Sequence, residues 1–419
     1  MPIMKYPHIY DIVVVGAGPA GTMAAIRAGQ LSRNVLLIEK NSAIGRKILL
    51  TGKGRCNLTN MASLDTFIKK FGRQGQFLRQ AFSSFFNQEL IDFFKAKGLD
   101  SKVERQNRVF PVTDNAGSVV DVLKEYLKEN KTEILYNRHL QRAVKKDNIF
   151  HLELDNGNTI NARKVILATG GISYKATGST GDGFHIAEQL GHTIAHLKPA
   201  LVPLKTQELW VKELTRLDLK NIRLTFRYAD KKIVSPIGDL AFTPFGVSGS
   251  LILDLSGEIV SILEKYKQVN LLIDLKPGLT PEQLGNRLLR EIKVNGNSSL
   301  KNVMKNLLPH KLIKVFIRLS GIDPETKANQ ITREQRNSII KLLKALPLTI
   351  TGSLPIEEAM VTNGGVSTCD INAGSMESKI IPGLYFAGEI IDGCASSGGY
   401  NLQQAFSTGY LAGEHAASG

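Results

Sequence analysis

The sequence predicts a discontinuous α/β fold, in which both ends of the chain build one parallel-sheet domain around an inserted middle part. Three observations favour this fold. A buried apolar strand runs into a glycine-rich turn and a helix at residues 11–28. Alternating strand patterns at 140–163 precede a buried strand that ends in Ala168-Thr-Gly170. An apolar strand and a glycine-led helix at 380–413 close the chain. With 419 residues, the chain has room for two or three domains.

The first glycine turn has the spacing of a dinucleotide-binding site. Gly16, Gly18 and Gly21 follow the apolar strand as G-x-G-x-x-G. Gly16 allows the tight turn, Gly18 lets a pyrophosphate approach the backbone, and Gly21 lets the helix pack close to the strand. A second apolar strand ends on Glu39, at the distance expected for an acid that binds the ribose hydroxyls. We therefore predict a bound dinucleotide with a free 2′-hydroxyl.

The next stretch, residues 45–59, is dense in Gly, Arg and Lys. Arg46, Lys47 and Arg55 can balance phosphate charge here, whereas the alternative is a mobile basic loop. A row of phenylalanines at 67–94 follows at loosely helical spacing, which favours core packing over a cofactor site. A nucleotide fold, a strand meander and a strand ending in Ala-Thr-Gly together form the layout of a two-dinucleotide-type FAD domain.

The middle of the chain divides by pattern into a β-rich part and a basic helical part. We predict an FAD-binding domain at 1–196 and 350–419, a β-rich insert on the substrate side at 197–278 and 346–350, and a helical insert at 279–345. The net charge is +15, and the segment from Arg287 to Lys344 has 13 basic and 4 acidic residues. A basic surface can attract nucleic acid, anionic membrane or acidic substrates, but a solvated face is the more common explanation.

Composition narrows the class of protein. Three cysteines without paired spacing indicate a reducing compartment and argue against a dithiol mechanism. No run approaches 18 apolar residues, so we expect no membrane span and a cytoplasmic location. We expect no metal site. The oligomeric state is left open.

Several motifs together resemble the aminoacetone-oxidase-like bacterial flavoproteins, often described as NAD(P)/FAD-dependent oxidoreductases. They are spread over nearly the whole chain outside the helical insert. The stretches are Gly45-Arg-Lys-Ile-Leu-Leu-Thr-Gly-Lys-Gly-Arg-Cys-Asn-Leu-Thr-Asn60, Thr177-Gly-Ser-Thr-Gly-Asp-Gly183, Phe242-Thr-Pro-Phe-Gly-Val-Ser-Gly249, Gly383-Leu-Tyr-Phe-Ala-Gly-Glu389 and Gly398-Gly-Tyr-Asn-Leu402. The resemblance implies an FAD domain with a β-barrel-like insert and a small helical insert.

The resemblance also implies the residues that contact a non-covalent FAD. Together with neighbouring motif positions they are Gly16, Gly18, Ala20, Gly21, Glu39, Lys40, Lys47, Cys56, Asn57, Leu140, Thr169, Gly170, Gly388, Glu389, Asn401 and Leu402. The N-terminus of the last helix would donate amides to the flavin. The chain departs from the family pattern at 392–399 and at Lys175. Because the first departure lies beside the presumed substrate side, the family's substrate need not transfer.

These features predict an FAD-dependent oxidoreductase that transfers a hydride between flavin N5 and a small or medium organic molecule. Amine oxidation by oxygen and NAD(P)H-driven reduction of an activated double bond are both open. Since a second full nucleotide fingerprint is absent, NADH or NADPH would dock transiently. One alternative is an RNA-binding or RNA-modifying flavoprotein that uses the basic helical insert, although nucleic acid is the less favoured class of partner. Another is an FAD-carrying binding protein without turnover.

The sequence does not single out a catalytic acid or base. The candidates are His185, Tyr174 and Tyr400, with His192 and His196 close to the first. A lone histidine is more often structural, and the tyrosine hydroxyls can simply bind backbone.

Overall fold

The computed structural model describes residues 9–31 and 34–418. The first eight residues of the predicted FAD-binding domain fall outside these ranges. The chain forms two compact units, of which one runs up to Ala200 and resumes at Ile356, and the other spans Leu201–Pro355. The predicted boundaries near 196 and 350 differ from these by a few residues, and the further division of the insert at 279–345 stays a prediction.

Strands and helices are numbered in chain order. The strands are β1 (Ile9–Val15), β2 (Val35–Glu39), β3 (Thr59–Asn60), β4 (Ser101–Glu104), β5 (Arg108–Pro111), β6 (Glu133–Tyr136), β7 (Leu140–Lys146), β8 (Ile149–Leu154), β9 (Thr159–Leu167), β10 (Ile194–Ala200), β11 (Leu204–Thr206), β12 (Asp218–Tyr228), β13 (Lys231–Val234), β14 (Gly238–Thr243), β15 (Gly246–Ser248), β16 (Val269–Asp274), β17 (Leu346–Ser353), β18 (Val361–Val366) and β19 (Leu384–Phe386). The helices are α1 (Pro19–Leu31), α2 (Leu64–Lys70), α3 (Gly75–Ser84), α4 (Asn87–Lys95), α5 (Ala116–Glu129), α6 (Asp182–Gln189), α7 (Ser250–Tyr266), α8 (Pro281–Val294), α9 (Leu300–Met304), α10 (His310–Ser320), α11 (Arg333–Lys344) and α12 (Tyr400–Ser418).

The first unit is built on a sheet in the order β6-β2-β1-β9-β8-β7, with β19 also paired to β9. In this sheet β1 pairs in parallel with β2 and β9, so that Ile12 lies opposite Val35 and Lys164. β6 and β19 extend the parallel part, whereas β7 and β8 form an antiparallel meander. The C-terminal strand β19 therefore completes a sheet begun at the N-terminus, as the discontinuous fold requires. The carboxyl ends of its parallel strands share one edge, where ligands bind in such folds.

Close packing of α1 on α12 joins the two ends of the chain. A Cβ atom at Gly409 would lie 2.2 Å from the Ala20 carbonyl oxygen, and one at Gly413 would lie 2.4 Å from that of Ala24. Only glycine permits this approach of two helix backbones.

The phenylalanine row is core, as predicted. Phe67, Phe71 and Phe82 are buried with Tyr400 in one cluster, where the rings of Phe67 and Tyr400 meet edge to face at 4.7 Å. Phe85 stacks on Tyr410 of α12 at 4.6 Å. These rings fix α2 and α3 against the start of α12.

The second unit contains a seven-stranded sheet in the order β13-β12-β14-β15-β11-β17-β16. An additional antiparallel pairing of β12 with β16 closes this sheet on itself, with Leu224 opposite Ile273. The closed sheet matches the predicted barrel-like insert. The predicted β-rich insert at 197–278 also contains α7, a helix that was not predicted, whose buried residues Leu251, Ile252 and Ile259 share one face.

Helix ends in the second unit follow their sequence signals. Thr280 and Gln283 form a capping box at α8, and Thr332 and Gln335 form one at α11. Gly321 ends α10 in the left-handed conformation, with φ of +70°. Among the described residues, no helix is both long and apolar enough to cross a membrane. Over the same residues, no cluster of three or more His, Cys, Asp or Glu could hold a metal ion.

Candidate functional site

The glycine turn after β1 leaves one backbone position open. Gly16 has a φ of +99°, and a Cβ atom there would lie 2.6 Å from the Ala168 carbonyl oxygen. A Cβ at Gly21 would lie 1.8 Å from the Gly16 carbonyl oxygen, whereas one at Gly18 would meet no atom within 4 Å. Two glycines are thus required by the protein itself, and Gly18 exposes backbone beside the N-terminus of α1, where a phosphate group would approach.

Glu39 is held beside this turn at the end of β2. Its buried carboxylate accepts hydrogen bonds from the Ala17 amide at 2.7 Å and the Asn41 amide at 2.8 Å. The Glu39 carbonyl accepts from the Arg138 amide at 3.2 Å, two residues before the buried Leu140. The acid is therefore oriented at the sheet edge, and its role in binding a ribose stays a prediction.

Lys40 is bound by a residue that sequence reasoning missed. Its ammonium lies 2.7 Å from Oδ2 of Asp182, the first residue of α6, and Thr180 donates to the same oxygen at 2.5 Å. Burial raises the pKa of Asp182, but Lys40 and Thr180 outweigh it and the pKa lies below its ordinary value. The carboxylate is ionised and fixes Lys40. The signal in the sequence is the Gly-Asp-Gly turn at 181–183.

Lys47 and Glu389 form an ion pair across the site. Lys47 Nζ lies 2.6 Å from Glu389 Oε2 and 2.7 Å from Ser173 Oγ. Glu389 Oε1 accepts from Ser173 Oγ and from the Thr362 amide, both at 2.8 Å. Burial opposes ionisation of Glu389, yet the Lys47 charge and these donors keep its pKa below the ordinary value.

The same network fixes the turn after β9. The hydroxyl of Thr362 accepts from the Ile172 amide at 2.9 Å and the Ser173 amide at 3.2 Å. A Cβ at Gly171 would lie 2.2 Å from that hydroxyl. Sequence reasoning found Lys47 and Glu389 but missed Ser173 and Thr362, which belong to distant parts of the chain.

The loop at Cys56 and Asn57 packs on the lead-in to α12. With its amide nitrogen facing the Thr59 and Val109 carbonyls, the Asn57 side chain accepts from the Gly399 amide at 3.0 Å. A Cβ at Gly399 would lie 2.3 Å from the Thr59 carbonyl oxygen, so only glycine fits. This contact sets the direction in which α12 begins.

The Asn401 side chain forms hydrogen bonds with the loop before α12. Its side chain accepts from the Ala395 amide at 2.8 Å and donates to the Ala395 carbonyl at 3.0 Å. Leu402 follows in the first turn and is partly buried. These contacts hold residues 392–399 against the first turn of α12. We call these residues the departure loop because the sequence departs here from the family pattern.

Asp392, in this departure loop, was not singled out by sequence. The half-buried side chain accepts from Gln74 Nε2 at 2.7 Å, and its own amide donates to the Val366 carbonyl. Burial raises the pKa of Asp392, with only Gln74 opposing it. Protonation is therefore easier here than at Asp182 or Glu389.

The remaining predicted FAD-contacting positions lie at the same sheet edge. A Cβ at Gly388 would lie 2.6 Å from that of Ala20, and the Gly388 amide donates to Thr408 Oγ1 at 2.9 Å. Thr169 and Gly170 follow β9, and Gly170 has a φ of +75°.

All three cysteines are free. Cys56 is buried and burial raises its pKa to about 12. Burial, followed by Glu389 and Asp392, raises the pKa of Cys394 to about 12. Both thiols are protonated at neutral pH. Cys369 is exposed.

The acid–base candidates differ in their surroundings. His185 and His196 are exposed. His192 is buried, lies 2.7 Å from Ser378 Oγ and has a pKa lowered by burial. Tyr400 is buried in the aromatic cluster, and Tyr174 sits half-buried at a φ of +50°.

The site fits FAD by its own chemistry. In the described chain, the buried hydroxyl oxygens of Thr59, Thr169 and Ser396 have no hydrogen-bond partner. Buried polar atoms are normally satisfied, so the unpartnered hydroxyls of Thr59 and Thr169 in the predicted cofactor motifs, and of Ser396 in the loop before α12, indicate a polar ligand. With the open Gly18 backbone and the acid Glu39, they form the donor and acceptor set that a dinucleotide requires.

Known proteins resemble this chain over almost its whole length. A family model described as HI0933-like protein Rossmann domain matches residues 10–415. A 3-dehydro-bile acid delta(4,6)-reductase of Clostridium scindens is 32% identical over 410 residues, covering 97% of this chain and 98% of the relative. A ribosomal RNA dihydrouridine synthase of Escherichia coli is 30% identical over 409 residues, covering 96% of each.

A solved structure of a flavocytochrome c3 fumarate reductase in an open conformation superposes with a TM-score of 0.54 at 18% identity. The match covers 98% of this chain and 78% of that one, and it supports the fold alone. The predicted flavoenzyme class is confirmed. The resemblance to aminoacetone-oxidase-like proteins holds only as far as the flavoprotein family. The chain belongs to the HI0933-like family of FAD-binding oxidoreductases.

Proposed function

We propose that this protein reduces a carbon–carbon double bond conjugated to a carbonyl group, with NADH or NADPH as the electron donor. The likeness over almost the whole chain to a bile acid reductase and to a ribosomal RNA dihydrouridine synthase carries this proposal. A 3-dehydro-bile acid with 4,6 double bonds is a conjugated ketone. The uracil ring that becomes dihydrouracil also has its double bond conjugated to a carbonyl. The two named reactions thus share one chemistry although their substrates differ.

Such a reduction adds a hydride to the β-carbon and a proton to the α-carbon. FAD, when bound, accepts a hydride from a donor and supplies it to the substrate. The protein must hold the cofactor, orient the substrate and provide the proton. Glu39, Lys40 and Lys47 are the residues proposed to hold the cofactor, in the ordered positions described above.

Asp392 is the proposed proton donor. Gln74 occupies one carboxyl oxygen, and burial favours the protonated form on the other. The position on the departure loop, between Glu389 and α12, supports access to a substrate on that side. Asp182 and Glu389 are poorer donors because their pKa values are lowered by paired lysines.

Amine oxidation by oxygen is the competing proposal, and anaerobic spectroscopy separates the two. We expect NADH or NADPH to bleach the flavin absorption, and a conjugated ketone to restore it. Saturated ketones of the same skeleton are the matched control and should leave the flavin reduced. Bleaching by small amines, with no response to pyridine nucleotides, would support the oxidase instead.

Uracil in RNA is a second candidate substrate, and the charge of the second unit favours it. The segment from Arg287 to Lys344 carries 13 basic and 4 acidic residues. The positive electrostatic potential of such a segment attracts polyanions. The test is incubation of the reduced protein with uridine-containing RNA, followed by mass spectrometry of the nucleosides. A gain of two hydrogens on uridine supports this candidate, and unchanged uridine alongside reduction of a small conjugated ketone rejects it.

A further inference from the structure

Two adjoining surface depressions in the second unit are lined by positive side chains. One is lined by Leu279, Arg287, Arg290 and Glu291, and the other by residues that include Lys220, Lys276, Leu279 and Arg287. We call Lys220, Lys276, Arg287 and Arg290 the cationic cluster. Arg287 belongs to both depressions, and Arg290 follows one turn later on α8.

In the cationic cluster, Arg287 donates to the Asn306 carbonyl at 3.2 Å, which is a neutral acceptor. Within the described chain, no carboxylate lies at ion-pair distance from any of the four side chains. Glu291, the one acid in the lining, accepts from Asn306 Nδ2 at 2.7 Å. Two other basic side chains of this unit are paired, Arg318 with Glu213 at 2.6 Å and Lys344 with Asp274 at 2.7 Å.

The Lys276 side chain is perturbed by its surroundings in the cationic cluster. Burial, and then the charge of Arg287, lower the pKa of its ammonium group. Two cations held close together in a half-buried position repel each other, and a bound anion would remove that repulsion.

The backbone around Lys276 is fixed, so the cationic cluster is held in place. Lys344, neutralised by Asp274 at 2.7 Å, donates to the Lys276 carbonyl at 3.0 Å and to the Leu279 carbonyl at 2.8 Å. The Lys276 amide donates to Asp274 Oδ1 at 2.9 Å.

We propose that the cationic cluster binds successive phosphate groups of a single-stranded RNA. Two arginines and two lysines match phosphate oxygens, and Arg287, common to both depressions, would bridge neighbouring phosphates. A shared side chain between two sites suits a polyphosphate chain better than a single phosphate. This inference rests on the RNA candidate for the proposed function and assigns that candidate its binding site.

The test measures binding of a fluorescein-labelled single-stranded RNA by anisotropy over a series of NaCl concentrations, using the full-length, FAD-loaded protein. The logarithm of the binding constant falls linearly with the logarithm of the salt concentration. For a single strand, each lost phosphate contact reduces the steepness of that line by about 0.7. The variant Lys276→Ala/Arg287→Ala should therefore lower the slope by about 1.4 and weaken binding. The control Lys231→Ala/Lys232→Ala removes the same charge from exposed positions on β13 and should keep the wild-type slope.

A second variant, Lys220→Ala/Arg290→Ala, changes exposed side chains only and guards against loss of folding in the first. Equal losses in cluster and control variants would overturn the inference, as would wild-type protein that binds no RNA. Selective loss of binding to phosphatidylglycerol vesicles, with RNA binding retained, would also overturn it. Reduction of a small conjugated ketone should be unchanged in all variants. RNA binding through the cluster without reduction of any uracil would support the site and reject RNA as the substrate.

Discussion

Replacement of Glu389 by glutamine removes one defined interaction. Glu389 Oε1 accepts from Ser173 and from the Thr362 amide, and a glutamine oxygen can keep both contacts. The other oxygen, which lies 2.6 Å from Lys47 Nζ, becomes an NH2 group that faces a donor. A hydrogen bond to a charged group contributes about 1.5–3 kcal/mol. Because the Lys47 and Glu389 side chains are 21% and 20% exposed, we expect a loss near the middle of that range, about 2 kcal/mol.

The assay is urea denaturation at neutral pH, with the free energy of unfolding obtained by linear extrapolation. The control Glu414→Gln breaks the more exposed pair with Arg27 and should cost about 0.5 kcal/mol or less. The folded-state pKa of Glu389 is lowered, so its contribution is complete above the ordinary value of 4.5 and is lost as pH falls through the folded-state pKa. The difference between wild type and Glu389→Gln should therefore shrink below pH 4.5. A loss no larger than that of the control, unchanged on acidification, would refute this reasoning.

Three further outcomes follow from the site. Gly21→Ala should lower the urea midpoint strongly because its Cβ would lie 1.8 Å from a carbonyl oxygen of the turn, whereas Gly18→Ala should keep the midpoint and weaken FAD binding in a fluorescence titration. Iodoacetamide at mildly alkaline pH should label exposed Cys369 well before buried Cys56, whose pKa is raised to about 12, and mass spectrometry of peptides reads the order. Asp392→Asn should slow reduction of a conjugated ketone without slowing flavin bleaching by NADPH, and the wild-type rate should fall as rising pH deprotonates this acid; an equal loss in both half-reactions would contradict that role.

Local signals in the sequence were enough for the glycine turn and its acid. The order of strand, glycines, helix and strand fixes where Gly16 and Glu39 must lie, because neighbouring parallel strands share an edge. The capping boxes at α8 and α11 depend on equally local signals, Thr280 with Gln283 and Thr332 with Gln335.

Partners from distant segments were not found. Lys47 meets Ser173 and Glu389, and Lys40 meets Asp182, across more than a hundred residues of chain. No short motif states such pairings, since they depend on how the strands are ordered in the sheet. Helix α7 was missed for another reason: its apolar residues are frequent enough to resemble a buried strand unless their spacing of three and four is counted.

The most direct test of the proposed function is anaerobic reoxidation of the reduced flavin. The FAD-loaded protein is first bleached with NADPH and then mixed with a conjugated ketone, with uridine-containing RNA or with a saturated ketone. We predict that at least one conjugated acceptor restores the oxidised flavin spectrum and is converted to its saturated product. The saturated ketone should leave the flavin reduced. Flavin that NADPH and NADH leave oxidised, but that small amines bleach, would contradict the proposed reductase.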